Sequence, residues 1–228
     1  MNDVPQTSDV YDKMYIEGGY QGVYDLPYQR SAYYPLFRKV LGQIGKFHLQ
    51  SILEVGCGTG AFAHMLSTRS RVNYRGFDFS EIAVQKAIKR LDRADLFYVA
   101  DATLPTSYTA EYDGIVCTEV LEHIDKDLQA IENWRSGCTC ICSVPNFDSE
   151  THVRYFKDEA DVVARYAPLL EISGISRIRK PPLSDISLSS YFRAIKWSRY
   201  RPRQLMEILG LGGFESTGGW FLFSGKRR

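Results

Sequence analysis

From residue 50 onward two patterns alternate along the chain. "QSILEVG" (50–56) is a continuous apolar run, as expected of a strand buried on both faces. "AFAHMLSTRS" reads as a helix, and "VNYRGFDF" (72–79) as a second strand. In "EIAVQKAIKRL" the apolar residues Val84, Ala87, Ile88 and Leu91 recur at helical spacing, with Ser80 where an N-cap belongs. "LFYVA" (96–100) and "YDGIVCTEV" (112–120) are the third and fourth strands. "DKDLQAIENWRS" is a helix with an acidic first turn, and "CTCICSVP" (138–145) a fifth strand. Strands alternating with helices predict an α/β fold with a doubly wound, mostly parallel sheet. Near the end, "RPRQLMEILGLGGF" reads as a helix with a glycine stop. "FESTGGWFLFSGKRR" then reads as a hairpin joined at Gly218-Gly219. The predicted division is an N-terminal helical segment (1–48), a core (49–148), an insertion after the fifth strand (149–200) and a closing helix and hairpin (201–228).

Composition narrows the class. The chain has 228 residues, 44% hydrophobic and 24% charged, which is ordinary for a globular protein. The polar start "MNDVPQTSDV" lacks a secretory pattern, and no apolar run approaches the ~20 residues of a membrane span. Five cysteines, at 57, 117, 138, 140 and 142, have no framework spacing. Reduced thiols and a cytoplasmic location are the expectation. Cys138, Cys140 and Cys142 alternate, so a strand puts them on one face. That arrangement suits core packing better than a tetrahedral metal site.

The candidate chemistry starts at Gly56, Gly58 and Gly60, between the first strand and its helix. Glycines this dense serve a sharp turn and a close approach of ligand to backbone. With Ala61 the stretch also satisfies the looser dinucleotide fingerprint. No Gly-Lys-Ser/Thr follows, which excludes a P-loop. Acids follow the strands in turn: Asp78 after the second, Asp101 after the third, Glu119 and Glu122 after the fourth. Such a rim repels a pyrophosphate. It suits a ligand with hydroxyls, an amine and a positive centre.

"LEVGCGTG", "GFDFS", "VADAT", "YDGIVCTEVLEHI" and "SVPN" together resemble, in order and spacing, the class I S-adenosylmethionine (SAM) dependent methyltransferases. The resemblance covers about residues 48–148 and resumes in the closing helix and hairpin. It implies a Rossmann-like, seven-stranded sheet with an antiparallel last strand, and SAM as cofactor with S-adenosylhomocysteine (SAH) as product. It also implies that Glu54, Gly56, Gly58 and Gly60 approach the methionine part of SAM. Asp78 would bind the ribose diol, Phe79 would flank the adenine, and Asp101 and Ala102 would meet its edge. Glu119 and Val120 would lie by the amine and sulfonium. There is no Asn/Asp-Pro-Pro-Tyr after the fourth strand, no Pro-Cys nucleophile, and no acidic pattern of the magnesium-dependent catechol branch. The small-molecule branch without a metal is the expectation.

The acceptor side is read from scattered residues. His123, just past the fourth strand, and His152, after the fifth, are the candidate bases. Tyr15, Tyr20 and Tyr24, set among Gly18, Gly19 and Gly22, suggest an aromatic lid over a sulfonium. Arg30 is a candidate for the carboxylate of SAM. Between Arg177 and Arg203 eight Lys/Arg face one acid, Asp185, in a chain of net charge +1. That asymmetry points to an anionic, phosphorylated or carboxylated small acceptor, with Arg154, Arg199 and Arg201 as contacts. The alternatives are an RNA or other nucleic-acid methyltransferase, because aromatics interleave with the cations, and a non-catalytic SAM-binding protein.

Overall fold

The computed structural model describes residues 8–19 and 22–228. Seven strands form one sheet: β1 Ser51–Val55, β2 Asn73–Asp78, β3 Phe97–Val99, β4 Gly114–Thr118, β5 Thr139–Pro145, β6 Leu170–Arg179 and β7 Gly219–Arg227. Their order is β3-β2-β1-β4-β5-β7-β6. The first five pair in parallel, and β7 runs antiparallel to both neighbours. The chain reverses direction between β1 and β2 on one side and β4 on the other. In an open α/β sheet such a switch point leaves a crevice at the carboxyl ends of the strands.

Alternation along the strands divides the core. Ile52, Val116, Ile141 and Leu222 face one way. They pack on Leu36, Val40 and Ile44 of α2 (Tyr34–Lys46) and on Phe62 and Met65 of α3 (Ala61–Arg69). Leu53, Ile115, Cys140 and Phe223 face the other way. There they meet Ala130 and Ile131 of α5 (Asp127–Glu132) and Val162 and Tyr166 of α6 (Glu159–Tyr166). Cys117, Cys138, Cys140 and Cys142 lie in this second cluster, and all five cysteines are buried and free. Ser80 caps α4 (Glu81–Leu91), its Oγ accepting from the Ala83 N–H at 3.1 Å.

The first five predicted strands fall where the pattern put them. The closing hairpin does not form. Phe214–Thr217 is a short helix, and β7 is a single strand whose partners are β5 and β6. Edge strand β6 comes from the stretch read as an insertion. Most of it is half-buried or exposed, so it lacks the continuous apolar run of the inner strands. After β6 come α7 (Leu188–Ser198) and α8 (Pro202–Ile208). No described helix is long and apolar enough to cross a membrane.

Candidate active site

Between β1 and α3, Gly56, Gly58 and Gly60 adopt φ of +70°, +51° and +74°, the left-handed region that favours glycine. A Cβ on Gly56 would lie 2.3 Å from Val120 Cγ2, and one on Gly60 3.0 Å from Ala87 Cβ. Those two glycines let the turn seat against the loop after β4 and against α4. Gly58 is more open: a Cβ there would meet nothing nearer than the Tyr15 hydroxyl at 3.5 Å. The Gly58 N–H donates to Asp78 Oδ2 at 2.9 Å, and the Ser80 N–H to Oδ1 at 3.0 Å. Burial raises the Asp78 carboxyl to about 6, and these two N–H groups restrain the rise.

Over the turn lies a cavity of about 320 Å³. Its floor is Val55, Gly56 and Phe77; Asp78 and Phe79 form one wall and Asp101 and Ala102 another. Glu119, Val120 and His123 close the far side. Glu119 sits at φ +58°, a strained position for a side-chain-bearing residue. Its Oε1 accepts from Ser143 Oγ at 3.0 Å and its Oε2 from Trp220 Nε1 at 2.5 Å. Burial pushes its carboxyl up to about 7, less than burial alone would, because those donors favour the anion. The roof is α1 (Ser8–Ile16), which contributes Tyr11 and Tyr15. Tyr11 meets Phe79 edge to face at 5.0 Å and His123 at 5.8 Å.

These groups fit a nucleoside carrying a sulfonium. Asp78 lines the cavity with a carboxylate fixed by two backbone N–H groups. Phe79, 36% exposed, offers a ring face. Asp101 takes the Thr103 N–H and hydroxyl on the same oxygen, both at 2.8 Å. Tyrosine faces attract a cation.

The comparisons agree with this geometry. A family model described as "Methyltransferase domain" matches residues 53–140. The chain is 32% identical over 81 residues to nodulation protein S of Azorhizobium caulinodans, spanning 36% of this chain and 39% of that protein. An N-methyltransferase, NodS of Bradyrhizobium japonicum, solved with SAH, superposes with a TM-score of 0.51 at 16% identity over 78% of each chain. Haemonchus contortus phosphoethanolamine N-methyltransferase 2, solved with SAH and phosphomonomethylethanolamine, gives 0.56 at 14% identity, over 97% of this chain and 57% of that one. At these identities the two structures speak for the fold. Residues 53–140 thus match a methyltransferase domain, and the sheet is that of the Rossmann-like methyltransferase fold.

Within the methyltransferase fold, several expected site residues lie elsewhere. Glu54 is buried under the turn and accepts from the Tyr74 hydroxyl at 2.5 Å; burial raises it to about 8. It does not line the cavity. Arg30 is exposed and forks onto Asp185 at 2.6 and 3.3 Å, tying the N-terminal segment to the loop before α7. It is not free to take a SAM carboxylate. Arg154 donates to the carbonyls of Leu121, Ile124 and Asp125 at 2.5, 2.6 and 3.0 Å. It also stands 3.3 Å from Asp127, which is fully buried against Arg165 and Tyr166. Arg154 thus braces the loop after β4 rather than meeting an acceptor. Tyr24 packs on Tyr15 at 5.1 Å, behind the cavity wall. Tyr20 lies outside the described residues. Arg199, stacked over Tyr200 at 4.8 Å, and Arg201 are exposed and do not line the cavity.

Two neighbours of the cavity were not singled out as site residues from the sequence. Tyr11 roofs the cavity; its i, i+4 spacing to Tyr15 already put both on one helix face. Lys180 stands at the end of β6 with its ammonium over the Phe147 ring at 4.3 Å. It feels Glu119, and it adds to burial, the main cause, in lowering the pKa of His152. Only the pairing of β6 with β7 brings it there.

Proposed function

We propose that the chain transfers a methyl group from SAM to a nitrogen or oxygen of a small, anionic acceptor. The observation that carries the acceptor class is Lys180. It does not line the cavity, but its half-buried ammonium, lowered in pKa by burial with Glu119 opposing the fall, lies over Phe147 within electrostatic reach of Glu119, which does line it, and of His152. Such a group contributes most to an anion by a charge-assisted contact in a partly dry site. The named acceptor of the Haemonchus contortus enzyme, phosphomonomethylethanolamine, is an example of the class: an amine carrying a phosphate.

Displacement at the sulfonium needs the acceptor in line with the sulfur, about 3 Å from the methyl. Tyr11 and Tyr15 would exclude water from that line. His123 and His152 each hold their Nδ1 on a backbone carbonyl, Thr151 O at 2.8 Å and Phe147 O at 3.1 Å. Their Nε2 atoms are then the basic ones. Burial drives His123 down to about 4 and lowers His152 as well. His123 is therefore a weak base near pH 7, and His152 is the better candidate.

Calorimetric titration with SAH and with NADH tests the cofactor: SAH binds and NADH does not. Turnover is then assayed on amines and hydroxyls bearing a phosphate or a carboxylate. Lys180→Met should raise the acceptor KM by about tenfold, the size of a modest charge-assisted contact. SAH affinity should be unchanged. Failure to bind SAH ends the whole reading. A neutral acceptor used equally by both proteins ends the anionic one. A nucleic-acid acceptor would instead show affinity falling steeply with salt.

A further inference from the structure

Glu122, His123 and His152 meet beside the cavity, their ligand atoms all within 4.8 Å of one another. Three further observations concern this cluster. Glu122 is 0% exposed, and neither of its carboxylate oxygens has a hydrogen-bond donor among the described residues. Its Oε1 lies 4.0 Å from His123 Nε2. Both imidazoles have Nδ1 anchored to a carbonyl, at Thr151 and Phe147, so both turn the Nε2 lone pair toward solvent or ligand. A carbonyl on the far nitrogen is how metal-binding histidines are oriented.

A buried carboxylate without donors is costly unless something positive reaches it. Arg154 is the near cation, but its guanidinium is occupied by three carbonyls and Asp127. Glu119 is the neighbouring carboxylate, already holding Ser143 and Trp220. The pair needs a shared proton or a shared cation.

We propose that Glu122, His123 and His152 bind a divalent first-row transition cation, such as Mn²⁺ or Zn²⁺, with an open position toward the cavity. Two imidazoles and one carboxylate form the mixed nitrogen and oxygen set that such ions take, and three protein ligands leave room for a fourth. Ideal tetrahedral ligation puts donor atoms roughly 3.3 Å apart, from metal–ligand bonds of about 2.0–2.1 Å. The cluster would close by about an ångström, which the half-exposed loop carrying His152 permits. His123 lines the cavity, so the open position faces the acceptor side. On the methyltransferase reading, which this last point rests on, the cation would take over from His152 as the group that favours deprotonation: an acceptor hydroxyl filling the open position releases its proton to solvent more readily, as a Lewis acid allows.

The test uses the full chain stripped with a chelator and dialysed, without SAM. Mn²⁺, Zn²⁺ and Mg²⁺ are each titrated by calorimetry, and Co²⁺ is followed by its visible absorption. One Mn²⁺ or Zn²⁺ per chain is expected, bound more tightly than Mg²⁺. Glu122→Gln and His152→Asn should each weaken it at least about tenfold, since loss of an outer-shell partner alone costs that much. Circular dichroism confirms that both variants are folded; Glu122→Gln removes a buried charge and so should keep its melting temperature. Absence of stoichiometric binding, binding unchanged in both variants, or a preference for Mg²⁺ overturns the site. None of these readouts involves SAM or an acceptor, so they leave the proposed activity untouched.

Discussion

Asp78 offers the sharpest test of the cofactor site. Its carboxyl is raised to about 6 from an ordinary 3.8 because it is buried, although two backbone N–H groups favour its charged form. Ribose hydroxyls donate to a carboxylate, not to a carboxylic acid. At pH 5, one unit below that value, only about a tenth of the protein carries the anion. SAH affinity should therefore fall about tenfold, roughly 1.4 kcal/mol, between pH 7.5 and pH 5. Asp78→Asn removes this component and nearly preserves the shape. At pH 7.5 it should weaken SAH by about 1–3 kcal/mol, the range for hydrogen bonds to a charged acceptor. Other acids of the wall titrate in both proteins and cancel in the comparison. Stability runs the other way. A folded value above the unfolded one gives stability that is present at low pH and lost as pH rises through about 6. Calorimetric titration from pH 5 to 8 on both proteins decides the matter. Parallel profiles would refute the assignment of Asp78 to the ribose.

Three further outcomes are expected. Gly56→Ala places a Cβ at positive φ and against Val120, a cost of at least ~1–2 kcal/mol; melting should fall by roughly 2–8 °C, and an unchanged melting temperature would show that the turn relaxes freely. Asp127→Ala removes a buried carboxylate shared by Arg165, Arg154 and Tyr166. Denaturant unfolding should show a loss toward the lower end of ~3–5 kcal/mol, because Arg165 is one-third exposed and can rehydrate; a loss under about 1 kcal/mol would count against the network. Helix α1 should gain hydrogen-exchange protection when SAH binds beneath Tyr11 and Tyr15. Among its ties to the core, Ser80 hydrogen-bonds Asp12 and the Lys86 ammonium donates to Tyr15 O at 2.6 Å. Equal protection with and without SAH would make α1 a fixed wall.

The strand-end residues that line the cavity were legible because strand order alone brings them together. Once "SILEV", "NYRGFD" and "GIVCT" are recognised as inner strands, topology alone brings Gly56, Asp78 and Glu119 to one edge. Their spacing carries the information, and no distant pairing is needed. Glu54 is the instructive exception. It lies inside β1 rather than past it, so its side chain turns into the layer under the turn, where Tyr74 meets it. Arg30 and Arg154 failed for a different reason. A cation near a site in sequence is drawn to whichever acceptor is nearest, and here Asp185 and the carbonyls after β4 came first.

The acceptor half depends on pairings that leave little trace in the chain. Strand β6 is an edge strand, interrupted by an irregularity between Ile172 and Gly174, and its exposed positions hide the period. Yet its antiparallel pairing with β7 fixes Lys180, whose N–H donates to Gly218 O at 3.1 Å. The next strand residue but one from Gly218 is Trp220, whose indole N–H holds Glu119. One edge pairing thus sets both the position of Lys180 and the donor that keeps Glu119 in place. His152 is positioned separately, by the carbonyl of Phe147 in the loop after β5. The basic run between Arg177 and Arg203 suggested an acceptor site by charge count, but Arg177 is paired with Glu159 and Arg179 caps the carbonyls of Gly210 and Gly212. Of that run, Lys180 comes within electrostatic reach of Glu119 and His152, because strand register, not net charge, decides where each cation falls.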